Sequence, residues 1–116
     1  MQLIWEFIMA SSQAFIEYLH EQLTGCGAGE IYCRKMFGEY GIYCDGVFFG
    51  LVCDDQFFVK ITEAGKAILG ENYPTGLAYD GAKTPMFKID DFEDGDLIRQ
   101  LITVTCAELV KKGNKK

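Results

Sequence analysis

The apolar positions of this chain change period twice. After Ser11 or Ser12, either of which can cap a helix, Phe15, Ile16, Leu19 and Leu23 recur at helical spacing. Glu17, His20, Glu21 and Gln22 fall mostly on the other side, and Gly25, Gly27 and Gly29 close the segment. From Ile31 the period becomes that of strands, in runs rich in aromatic and β-branched residues: 31–37, 40–44, 47–53 and 56–61. Asp45-Gly46 and Asp54-Asp55 separate the last three runs by two residues each, and Asp-Gly is a strong short hairpin signal. Thr62 then caps a short helix over 63–69 that Gly70 ends. The patterns at 77–80 and 85–89 predict two further short strands. The last element runs from about Glu93 or Asp96 to Lys112, with Leu97, Ile98, Leu101, Ile102, Thr105, Cys106, Leu109 and Val110 as its apolar stripe.

Helix, clustered strands, helix, strands and helix, with short turns between the strands, predict an α+β domain of two layers. An antiparallel meander packs against N-terminal, middle and C-terminal helices. Two-residue loops fix the pairing. Cys44 faces Val47, Tyr43 faces Phe48, Cys53 faces Gln56 and Phe49 faces Lys60. The same register extended inward sets Gly41 against Gly50, leaving a gap that rings such as Tyr43, Phe48 and Phe58 would cover.

A length of 116 residues predicts one domain, taken as residues 9–112, with 113–116 a frayed tail. Residues 1–8 read as an extension ahead of a more natural beginning at Met9. They are apolar but carry neither a basic residue nor a cleavage pattern, so they predict no signal peptide and no membrane span. The formal charge of −6 disfavours direct nucleic-acid binding, which draws on many Lys and Arg contacts with phosphate. Five cysteines without a Cys-x-x-Cys pair predict a reducing, cytoplasmic setting, with each thiol a small buried apolar group. With one histidine, His20, and scattered thiols, no metal or cofactor is expected.

The acidic run Asp90, Asp91, Glu93, Asp94 and Asp96 does not fit a calcium loop. Aligning Gly95 with the obligatory glycine puts Phe92 and Leu101 where oxygen ligands are needed, so an acidic helix start is the better reading. No nucleophile motif, P-loop or dinucleotide fingerprint is present, and the chain is expected not to be an enzyme. The distinctive stretch is RKMFGEYGIY, residues 34–43. Met36 and Phe37 suit a core, Gly38 supplies a positive-φ turn position, and Gly41 allows a close approach. Arg34, Lys35 and Lys60 read as cations on adjacent strands, able to meet an acidic partner segment or a phosphate.

The ordered set Arg34, Met36, Phe37, Gly38, Tyr40, Gly41 and Tyr43, followed by Gly46, Phe49-Gly50 and an apolar triplet ending in Lys60, resembles the TfoX N-terminal domain family. The likeness spans roughly residues 12–110 and is sharpest from Arg34 to Lys60. It implies an α+β domain with an antiparallel sheet flanked by helices, and no catalytic residues. TfoX-type proteins are bacterial regulators of natural competence for DNA uptake. Two-domain members continue into a helical C-terminal domain, so this chain is similar to the stand-alone N-terminal form. The resulting expectation is a non-enzymatic regulatory module acting through protein partners, with Arg34, Lys35, Tyr40 and Lys60 as contacts and homodimerisation through a sheet edge as a further partnership. The alternative is a domain for a small ligand or anion that uses the same cations beside an aromatic pocket.

Overall fold

A computed structural model describes residues 12–36 and 39–113. Residues 1–8, the core role expected of Phe37 and the turn role expected of Gly38 lie outside the described residues. The chain forms α1 (Gln13–Gly25), β1 (Ile31–Met36), β2 (Glu39–Cys44), β3 (Val47–Cys53), β4 (Gln56–Val59), α2 (Glu63–Leu69), β5 (Thr75–Gly76), β6 (Met86–Ile89) and α3 (Gly95–Lys111). The strands make one antiparallel sheet in the order β1-β2-β3-β4-β6-β5.

Each helix begins where a side-chain oxygen satisfies an end amide. Ser12 Oγ accepts from Phe15 N at 3.1 Å, Thr62 Oγ1 from Gly65 N at 2.9 Å and Asp94 Oδ1 from Leu97 N at 3.3 Å. The start of α2 has a second anchor. Glu108 of α3 accepts from the Glu63 and Ala64 amides at 3.2 and 3.0 Å, and pairs with Lys112 at 3.2 Å. Those backbone donors hold the Glu108 carboxyl below the usual carboxylate range.

The two predicted hairpin turns are present, and Asp45, Gly46, Asp54 and Asp55 all take positive φ. Asp55 Oδ1 accepts the Ser12 amide at 2.7 Å, which ties the β3–β4 turn to the head of α1. Near both turns the register is the expected one: Tyr43 faces Phe48, Cys44 faces Val47 and Cys53 faces Gln56. Beyond the end of β4, the Lys60 N–H donates to the Phe49 carbonyl at 2.9 Å.

Gly41 does not face Gly50. The register shifts between Ile42 and Tyr43, so that Ile42 pairs with Gly50 and Gly41 with Leu51. Phe49 is the extra residue of a bulge, inserted whole into the core. Gly50 has no room for a side chain, because a Cβ there would lie 2.5 Å from the Phe58 carbonyl oxygen. Gly41 is covered as expected by Tyr43 and Phe48, but the third neighbour is Met36 and not Phe58. A second correction concerns the strand expected at 77–80. Pairing occurs two residues earlier, at Thr75 and Gly76, and 77–80 runs as bends and a turn with Tyr79 exposed.

Alternation divides the sheet. Ile42, Cys44, Phe49, Val52, Phe57, Val59, Phe87 and Ile89 face the helices and join Leu19, Leu23, Ile98, Leu101 and Ile102 in the main core. The other side holds a small cluster of Phe58, Ala78 and Met86, with Leu51 and Cys53 against it.

Candidate functional site

The outer side of the sheet carries a row of aromatic rings that crosses three strands. Tyr32 of β1, Tyr43 of β2 and Phe48 of β3 succeed one another at centroid distances of 5.9 and 5.2 Å, and the Lys60 ammonium lies 4.5 Å from the Phe48 centroid. The row exists because Tyr32 pairs with Tyr43 and Tyr43 with Phe48, both in register on one side. Tyr32 is 59% exposed, the most exposed ring of the row.

The two ends of the row differ. At the β1 end, Tyr32, Arg34 and Tyr43 line a cleft of about 430 Å³ with Glu30, Asp45 and Gly46. Asp45 is committed there to the hairpin: its Oδ1 accepts the Glu30 amide at 2.9 Å, and its own amide donates to the Glu30 carbonyl at 2.9 Å. No ion pair engages Arg34 among the described residues. At the far end, Phe48 and Lys60 line a larger pocket of about 730 Å³ with Leu51, Met86 and the segment that turns through Gly81. Burial pushes the Lys60 pKa below the ordinary lysine value.

The cations expected on adjacent strands are not together. Arg34 belongs to β1 and Lys60 follows β4, with β2 and β3 between them. They share the outer side and are connected through the ring row. Lys35 and Tyr40 pair across β1 and β2 on the helix side, where Tyr40 packs on the main core and Lys35 is exposed. Met36, Gly41 and Tyr43 meet on the outer side, whereas Gly50 belongs to the bulge. No motif marks Tyr32 in the sequence; its alternation with Arg34 is the one signal that puts both on the same side of β1. Lys83 and Lys112 also line the larger pocket, and nothing local marks them, since a loop and a helix end bring them there.

Burial pushes the Cys44 and Cys106 pKa values up to about 11 and about 12. Cys33 is raised to about 11 by the same cause. These groups stay protonated near neutrality and behave as packed apolar side chains. His20 Nε2 lies 3.1 Å from the Ile31 carbonyl, joining α1 to the head of β1. Among the described residues, no three His, Cys, Asp or Glu side chains are grouped to hold a metal ion, and no helix is long and apolar enough to cross a membrane.

The family model of the TfoX N-terminal domain matches residues 21–108, most of the chain. The chain belongs to the TfoX N-terminal domain family. Both ends of the ring row, and the hairpins that build it, fall inside the matched span. An uncharacterized 12.7 kDa protein from the trpE 5′ region of Spirochaeta aurantia is 37% identical over 75 residues, covering 65% of this chain and 64% of the relative. The chain therefore spans just under two thirds of that relative's length. No solved structure matches this TfoX N-terminal domain.

Proposed function

We propose that this TfoX N-terminal domain is a regulatory module that works by protein–protein contact and not by catalysis, in the transcriptional control of competence-like genes. The outer side of the sheet receives an acidic, partly apolar segment of the partner. One observation carries the reading: an aromatic row, exposed at Tyr32 beside Arg34 and half-buried at Tyr43 and Phe48, in a chain with a formal charge of −6. Exposed rings supply contact area at low entropic cost, and an arginine beside them forms a fork for carboxylates. The acidic remainder of the surface repels a wrong docking orientation of such a segment. Family membership supports the regulatory part of the reading.

Cross-linking followed by mass spectrometry in the host identifies the partner, and binding of the two purified proteins then tests the surface. Arg34→Glu should weaken that binding by about tenfold, equivalent to ~1.4 kcal/mol, with the unfolding midpoint unchanged. A partner that binds Arg34→Glu as tightly as the native protein overturns the reading. So does tight binding of duplex DNA by the domain itself at physiological salt.

A further inference from the structure

The pocket at the Lys60 end of the ring row has a charge pattern opposite to that of the whole protein. Lys60, Lys83 and Lys112 line it and no Asp or Glu does, although the chain carries 17 acidic residues against 11 basic ones. Lys112 already pairs with Glu108 at 3.2 Å. Lys60 and Lys83 have no carboxylate partner among the described residues. The Lys60 ammonium is held against the Phe48 ring, half withdrawn from water, without a counter-charge. A cation in that state has lost part of its hydration; the Phe48 ring offsets some of the loss, and an anion at close range would offset more.

Apolar walls come from Phe48, Leu51, Met86, Ala78 and Leu109, with the hydroxyl-bearing Thr62, Tyr79 and Thr84 between them. A volume of about 730 Å³ lies inside the range of small-molecule sites, roughly 300–1,000 Å³. A bare inorganic ion would satisfy the lysines and leave these walls wet. A neutral apolar molecule would fill the walls and leave the lysines unpaired. We propose that this pocket binds a small organic acid, one carboxylate on an aromatic or short aliphatic body, with the carboxylate at Lys60 and the body against Phe48, Leu51 and Met86. The inference goes beyond the partner reading and does not rest on it, since Arg34 and Tyr32 lie at the opposite end of the row.

Ligand-observed NMR and thermal unfolding of the full chain, with benzoate and octanoate against benzamide, octanamide and inorganic phosphate, test the site. The acids should bind in the millimolar range or tighter and raise the unfolding midpoint, with the amides and phosphate at least about tenfold weaker. Lys60→Met, which keeps the length of the side chain and removes its charge, should lose about tenfold in acid affinity. Lys66→Met, at an exposed pair with Glu63 on α2, should lose none. If Lys60→Met does not fold, Lys83→Met replaces it and should weaken acid binding by about threefold. Amides that bind as well as the acids, phosphate that binds as well as the acids, or no acid binding at millimolar concentration each overturns the proposal. A folded Lys60→Met, or its Lys83→Met replacement, with native affinity does so too.

Discussion

The two sides of this sheet are built from alternate residues of the same strands and have opposite characters. On the helix side, Phe49, Val52, Phe57 and Val59 are at most 1% exposed and interlock with three helices. Phe57 meets Phe49 and Phe92 edge to face, both at 6.3 Å. On the outer side Phe58, Ala78 and Met86 form a small closed cluster, while Tyr32 is exposed and Tyr43 and Phe48 are half-buried. One side carries the stability and the other leaves its aromatic surface available. A sheet of this kind separates folding from recognition residue by residue, because each substitution falls on one side or the other.

That contrast sets the size of the expected effects. Phe57→Ala removes a ring at the centre of the packed side and should cost about 3–5 kcal/mol in denaturant unfolding. A cost near that of a surface substitution would show that the helix side is not the main core. Gly50→Ala places a methyl group against the Phe58 carbonyl and should cost about 2–3 kcal/mol, since backbone on both β3 and β4 must shift. Thr105→Val should raise stability by about 1 kcal/mol, because the Thr105 hydroxyl is fully buried with no hydrogen-bond partner among the described residues. Tyr32→Ala should change stability by less than about 0.5 kcal/mol while weakening partner binding. A loss of stability larger than that of Gly50→Ala would make the ring row part of the fold's support and erase the distinction.

Much of the helix side is legible in the sequence, for local reasons. Ser12 and Thr62 announce two helix starts and the acidic run a third, whose cap at Asp94 the structure fixes, and the Asp-Gly and Asp-Asp pairs set two hairpins. The bulge is not legible. It depends on how Gly50 meets the Phe58 carbonyl across the sheet, and a one-residue slip leaves the run VFFGLVC unchanged in pattern. Pairing at Thr75 and Gly76 also depends on a distant strand, where the Lys88 amide donates to the Pro74 carbonyl at 3.0 Å. For the candidate site, alternation separates Arg34 from Lys35, but the distance between Arg34 and Lys60 follows from strand order. The lysines at 83 and 112 reach the pocket through tertiary folding alone.

The Glu108 carboxylate on the Glu63 and Ala64 amides couples the middle helix to the C-terminal one. A seven-residue helix is too short to nucleate in isolation, and part of its first turn is completed by a side chain from 44 and 45 residues away. The middle helix thus has all its first-turn partners only while the C-terminal helix is docked. Whatever loosens the latter releases the former, and amide exchange in 63–69 should follow the opening of 95–111.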